Sequence, residues 1–346
     1  MAAIGRHGRR IGGSAVPDEV GQIARDLAKR FPEASSHSLA RRLVAESNGA
    51  ITHEQARSRF RYLFGANGKA HRNETTSTVK RRRRESGEKV EMPRSKAEPW
   101  LPFDLETVGV VGVLSDVHVP YHDETALRAA VDCLAGERID TLLLNGDFAD
   151  FYSISRHEKN PKHRNFKAEL GAVRDFLAWV RSRFPGVKMV AKSGNHEERF
   201  ERWLFAHAPE ISDEPEMRLD RWLRMESFGI EHVGDKRIIL AGKLPILHGH
   251  EKGNGISSPV NQARGAFLRL HHTVLEGHGH RTSTHSEPDM FGRETVCFST
   301  GCLCDLRPAY AVLNKWNHGA ARVEVHADGT FDVTNFRIVG GKVRLS

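Results

Sequence analysis

The chain has 346 residues, is 39% hydrophobic and 28% charged, and carries a formal net charge of +8. That balance suits a soluble globular protein of one large domain and a small one, and no window holds the ~18 uninterrupted apolar residues of a membrane span. The start has Arg6, Arg9 and Arg10 with no apolar core after them, so no secretory signal is read and a cytoplasmic setting with reduced thiols is expected.

The positive charge is unevenly placed. Residues 1–100 hold 21 Lys and Arg against 11 Asp and Glu, a net of +10; the remainder holds 31 against 33, a net of −2. Three short helices are expected in a module spanning 1–65. The first opens near Pro17 with Asp18 and Glu19 in its first turn, shows Val20, Ile23, Ala24, Leu27 and Phe31 on one face, and closes at Pro32. The second starts at Ser35 or Ser36, carries Leu39, Leu43 and Val44, and stops at Asn48-Gly49. The third opens with Thr52 and Gln55 at capping-box spacing and sets Arg57 and Arg61 four apart, away from Ala56, Phe60 and Phe64. A basic third helix after a Gly-containing turn is compatible with a helix-turn-helix that binds DNA, and equally with a helical docking module whose arginines face water.

Residues 66–99 read as a polar, flexible linker. Within it Lys80, Arg81, Arg82, Arg83 and Arg84 form an unbroken basic run. Such a run can lie against the phosphates of DNA or RNA, or serve as a solvated tether.

From Trp100 to the end, residues 100–346, strands alternate with helices. Strands are expected at 108–114, 140–145, 187–193, 237–240, 244–248, 273–277 and 294–299. Helices are expected at 124–135, 166–183, 197–207 and 260–271. A meander of short antiparallel strands should follow, turning at Asp328-Gly329 and Gly340-Gly341. The sum is an α/β sandwich with two central sheets. Among the four cysteines, Cys302 and Cys304 are read as small buried residues, because no second Cys pair completes a zinc site.

Five of these strands end in polar residues of one chemical kind. After 108–114 come Asp116 and His118; after 140–145, Gly146, Asp147 and Asp150; after 187–193, Gly194, Asn195 and His196; at the end of 244–248, after the run Leu-Pro-Ile-Leu, His248; after 273–277, His278 and His280. Open α/β sheets present their chemistry at such strand tips. Carboxylates and imidazoles gathered in one cleft are costly unless cations neutralise them.

These five blocks, in this order, resemble the signature of the calcineurin-like metallophosphoesterases, with overall similarity to versions found in phage and prophage genomes. The resemblance implies a four-layer αββα sandwich, preceded here by the small all-α N-terminal module. It implies two divalent metal ions, manganese first, with iron, zinc or nickel as alternatives. Asp116, His118, Asp147 and His280 would hold one ion, and Asp147, Asn195, His248 and His278 the other. A metal-bridging hydroxide would then attack a phosphate ester, while His196 serves as general acid or as a stabiliser of transition-state charge. Asp150 would fix the His196 tautomer, unless it is only a helix cap. Arg156 and Arg199 would grip phosphate oxygens, unless they are ordinary surface arginines. The protein Ser/Thr phosphatase branch places Arg after the second Asp of the Gly-Asp block, and here Phe151 follows Asp150. The basic N-terminal part favours a nucleic-acid or nucleotide phosphoester as substrate. A small-molecule phosphomonoesterase or phosphodiesterase, or a DNA-binding protein on an inactive phosphoesterase scaffold, are the other readings.

Overall fold

The computed structural model describes residues 18–32, 34–64, 92–253 and 260–345. The chain divides into two compact units between Ala97 and Glu98.

The first unit has three helices, α1 (Asp18–Arg30), α2 (Ser36–Glu46) and α3 (His53–Phe64). Their apolar faces close on a core of Val20, Ala24, Leu27, Leu43, Ala56 and Phe60. The ends follow the local chemistry. Ser35 Oγ accepts the Ser38 N–H, and Thr52 and Gln55 exchange side-chain to backbone bonds in a capping box. Asn48 and Gly49 adopt positive φ where α2 stops. Arg57 and Arg61 are exposed on α3. Lys80, Arg81, Arg82, Arg83 and Arg84, like Pro17, lie outside the described residues.

In the second unit a mixed sheet runs through β2 (Gly109–Leu114), β3 (Thr141–Asn145), β4 (Lys188–Lys192) and β5 (Ile230–Val233), all parallel. The antiparallel meander β11 (His318–Val325), β12 (Phe331–Val339) and β13 (Lys342–Arg344) extends it from β2 outward. The second sheet has the order β1 (Phe103–Asp104), β6 (Ile239–Ala241), β7 (Leu244–Leu247), β8 (Val274–Glu276), β10 (Glu294–Ser299), β9 (Ser283–Pro288).

Alternation along the strands builds two cores. Val111, Val113, Leu143 and Val190 face Ile239, Ile246 and Leu275 between the sheets. Leu114, Leu142 and Leu144 point the other way, onto Leu127 and Val131 of α4 (Glu124–Gly136) and Val173 and Leu177 of α5 (Phe166–Arg183). Covered on both faces, β3 carries three consecutive leucines rather than alternating. Outside the second sheet, α8 (Gln262–Leu270) packs Ala263 and Ala266 against Leu247 and Val274. Two sheets lie between helices, which is the expected four-layer αββα sandwich. α6 (Glu198–His207) follows β4, and a four-residue α7 (Leu219–Trp222) precedes β5.

Three strands escape the sequence pattern for one reason. β1 is two residues long, β5 (IEHV) has only two apolar residues and β9 (STHSEP) is polar, and all three lie at sheet edges where one side needs no apolar cover. Among the described residues no helix is long and apolar enough to cross a membrane.

Candidate metal centre

The tips of β2, β3, β4, β7 and β8 converge, and all seven expected ligand side chains lie there. The turns after the strands are sharp. Asp116, His118, Asp147, His278 and His280 all have positive φ, between 50° and 61°, which aims each side chain back over the sheet edge. Two glycines make room. A Cβ on Gly146 would stand 2.5 Å from the His248 ring, and one on Gly277 would stand 2.0 Å from Ser115 Oγ.

Asp116 is fully buried. Its Oδ2 accepts from Ser115 Oγ at 2.6 Å and from the His278 N–H at 2.9 Å. Its Oδ1 has no hydrogen-bond partner and stands 3.0 Å from His280 Nε2. Asp147 Oδ1 accepts the His196 N–H at 2.9 Å. Its Oδ2 is the hub of the cluster, 3.2 Å from His248 Nε2 and 3.8 Å from His118 Nε2. Ligand-type atoms of Asp116, His118 and Asp147 lie within 4.8 Å of one another, as do those of Asp147, His248 and His278. Asp147 belongs to both groups.

The imidazoles are held by their far nitrogens. His248 Nδ1 donates to the Asn145 carbonyl at 2.8 Å, and His118 Nδ1 meets the Asp150 carboxylate at 3.0 Å. A proton on Nδ1 leaves the Nε2 lone pair pointing into the cluster. Three buried atoms of the cluster lack any hydrogen-bond partner, Asp116 Oδ1, Asn195 Oδ1 and His248 Nε2. Buried polar atoms without partners are costly, and two divalent cations would satisfy all three, one at Asp116 and one at Asn195 and His248. The electrostatics agree. Burial alone would raise the Asp147 carboxyl, yet His248 beside it holds it well below the usual range. Burial alone would lower His248, yet Asp147 pushes it up to about 10, and Asp116 does the same to His280. Those protons balance the carboxylates, and divalent ions would replace them. The donor set of carboxylate, amide oxygen and imidazole fits two such ions.

Around the ligands the structure corrects one expectation. The His196 tautomer is fixed by the backbone carbonyl of Asp150, which accepts from Nδ1 at 2.9 Å. The Asp150 carboxylate stands 3.4 Å from that nitrogen and reaches His118 more closely. Carbonyl and ionised carboxylate alike can only accept, so both call for the proton on Nδ1, and the carbonyl is the nearer of the two. Asp150 does not cap the turn that follows it. Arg199 sits beside them, giving Nη1 to the Asp150 carbonyl at 2.8 Å and Nη2 to His196 Nε2 at 2.9 Å. Arg156 is exposed on the wall of the adjoining cavity. His250 donates to Glu198 at 2.7 Å, a structural contact.

Sequence reasoning passed over Glu197. Its buried carboxylate accepts the N–H groups of Asp147, Gly194 and Ala149, each at 2.8 Å, and so ties the β3 and β4 loops together. Burial and the Asp147 charge push it up to about 7 against those bonds. Its place after Asn195-His196 was the available signal. Likewise the buried Lys192 pairs with Glu251 at 2.8 Å, and Glu251 accepts the N–H of His248 at 3.0 Å, which holds the β7 loop. Cys304 is buried as expected, with its Sγ 3.8 Å from His280 Nδ1.

Among solved structures, the chain is similar to wild-type Vps29 complexed with zinc from Entamoeba histolytica (13% identity, 68% of this chain and 97% of that one, TM-score 0.36). It is also similar to a dimetal phosphatase from Danio rerio (12% identity, 69% and 98%, TM-score 0.35). The Gene 54 protein of Mycobacterium phage L5 is 27% identical over 175 residues, 49% of this chain and 68% of that protein. The Gene 54 protein of Mycobacterium phage D29 is 26% identical over 175 residues, with the same coverage. A profile of the calcineurin-like phosphoesterases matches residues 109–312. That match takes in every strand tip that carries a ligand-type side chain, and the chain belongs to the calcineurin-like phosphoesterase family.

Proposed function

We propose that the protein hydrolyses phosphate esters with two divalent ions, manganese first among them. Asp116, His118, Asp147 and His280 would hold one ion, and Asp147, Asn195, His248 and His278 the other. The observation that supports this best is the position of Asp147 Oδ2, shared by two groups of ligand-type atoms. Bound there, the ions would supply Lewis-acid charge to the phosphoryl oxygens and an activated water as nucleophile.

The chain's own residues do the rest. Glu197 and the Lys192–Glu251 pair hold the loops in register. Asp150 orients His118 through Nδ1. His196 is buried, which lowers its basicity, but the Asp147 and Asp150 carboxylates raise it overall, so the ring is suited to carry a proton. Its Nε2 accepts from Arg199. A substrate phosphate that draws the guanidinium away frees Nε2 to take up a proton from solvent, and the ring, then protonated on both nitrogens, can give that proton to the leaving group and return to the Nδ1–H form. A nucleic-acid or nucleotide phosphoester is the favoured substrate class, because the basic N-terminal part brings counter-charge for phosphates.

The test is Asp147→Asn. It should abolish hydrolysis of an aryl phosphodiester with manganese, iron, zinc or nickel, and lower the bound-metal count. A variant that keeps both ions and near-normal turnover overturns the assignment.

A further inference from the structure

Beside the metal centre lies a cavity of about 940 Å³ whose wall includes Asn195 and His278. Among the described residues that line it, eight are Lys or Arg and none is Asp or Glu. This is a local property, since residues 101–346 count two more acids than bases. Some of these cations are already neutralised. Arg202 pairs with Glu198, and Lys252 with Glu276. Arg156, Arg164 and Lys236 are exposed, and among the described residues no carboxylate lies within ion-pairing distance of them. Like charges gathered on a concave surface repel one another and focus a field that attracts anions.

Helix periodicity shapes two of the walls. α6 presents Arg199, Trp203 and Ala206, and α8 presents Gln262, Gly265 and Arg269. Trp203 is 38% exposed. Its ring stacks on His207 with centroids 4.9 Å apart and planes 17° from parallel. An exposed flat ring, held by a stacked neighbour on the same cavity wall and set among cations without ion pairs, is the pairing that single-strand binding surfaces use for bases and backbone.

We propose that this cleft is a track for single-stranded nucleic acid, in which Trp203 stacks an unpaired base while Arg156, Arg164 and Lys236 hold phosphates flanking the one at the metal centre. The proposal rests on the phosphoester-hydrolase reading and gives its substrate an extent. A lone phosphomonoester needs only the ions and Arg199, and would leave the other cations and the Trp203 face unused. A duplex keeps its bases stacked on one another and withholds them from Trp203.

The experiment uses the full chain. Hydrolysis of an aryl phosphodiester with manganese first establishes turnover by itself. Oligothymidylates of increasing length should then show KM falling roughly tenfold or more from one nucleotide to about four, as successive phosphates and a base engage. Binding of a labelled octanucleotide is read by fluorescence anisotropy in EDTA. Trp203→Ala should weaken it by roughly 5- to 100-fold, the worth of one stacked base, and Trp203→Phe should recover most of that loss. Arg164→Ala and Lys236→Ala should each flatten the slope of log Kd against log salt by about 0.7. The basic run at Lys80 to Arg84 is the same in every variant, so the differences read the cleft. Turnover of the aryl diester with KM independent of oligonucleotide length, or unchanged affinity in Trp203→Ala, overturns the track and leaves the hydrolase standing. No turnover of any phosphoester with any of the four metals removes the reading beneath it.

Discussion

Replacing Glu197 by Ala takes the acceptor away from three buried N–H groups at once, those of Asp147, Gly194 and Ala149, each bonded at 2.8 Å. A buried donor left unsatisfied costs about 1–3 kcal/mol. Three of them cost roughly 3–9 kcal/mol, and water entering the vacated space offsets part of this, for a net of about 3–5 kcal/mol. Domain stabilities are about 5–15 kcal/mol, so such a loss is large but measurable. Glu197→Gln separates the hydrogen bonds from the packing. With its one oxygen turned to Asp147 and Gly194 it keeps two bonds and sets an NH₂ against the Ala149 N–H, for a loss of about 1–3 kcal/mol. Urea unfolding should therefore rank the unaltered chain above Gln, and Gln above Ala. Metal content should fall in the same order, because Asp147 and Asn195 stand on the two loops that Glu197 joins. An Ala variant within about 0.5 kcal/mol of the unaltered chain and fully loaded with metal would refute the reasoning.

His196→Ala should keep its metals and lose roughly 10²–10⁴ in turnover, with a smaller loss for leaving groups of low pKa; equal losses for good and poor leaving groups would remove the acid role. Glu169, on α5, accepts from the Ser153 N–H and Oγ, and burial pushes its carboxyl up to about 7 against those bonds. A raised acid contributes stability that is full below its unfolded value, near 4.5, and is lost as pH rises through about 7. Glu169→Gln should thus flatten the decline in thermal stability between those values, and an unchanged profile would contradict the shift. Replacing Arg81, Arg82, Arg83 and Arg84 by Gln should reduce the salt dependence of DNA or RNA binding; a slope that stays put assigns the run to something other than nucleic acid.

The large features of the fold were legible because they are periodic. The β2, β3 and β4 strands are apolar runs that end in a turn, and each turn carries Asp, Asn or His, so the loops of the candidate site announced themselves in order. What stayed hidden depends on partners distant in sequence. Glu197 reads as the first residue of a helix, and only the folded chain brings Asp147, 50 residues away, onto its carboxylate. Lys192 falls within the strand expected at 187–193, and nothing in the local sequence marks it as fully buried against Glu251. The basic cleft was invisible because charge counts average over the unit, whereas its cations come from the 153–164 loop, α6, Lys236, the β7 loop and α8. The edge strands β5 and β9 carry no apolar pattern to read.

Five of the seven ligand-type residues hold a left-handed backbone, at φ between 50° and 61°. For a side-chain-bearing residue that conformation costs on the order of 1 kcal/mol, so the five together withhold roughly 5 kcal/mol from the fold. Glycine at any of them would relieve the strain while deleting a ligand. Selection of variants by heat tolerance alone would therefore favour glycine first at position 278, where the bond to Asp116 is made by the backbone N–H and survives the change, and would yield a sturdier protein with one metal ligand fewer. Any programme to stabilise this chain needs a metal-dependent screen alongside the thermal one.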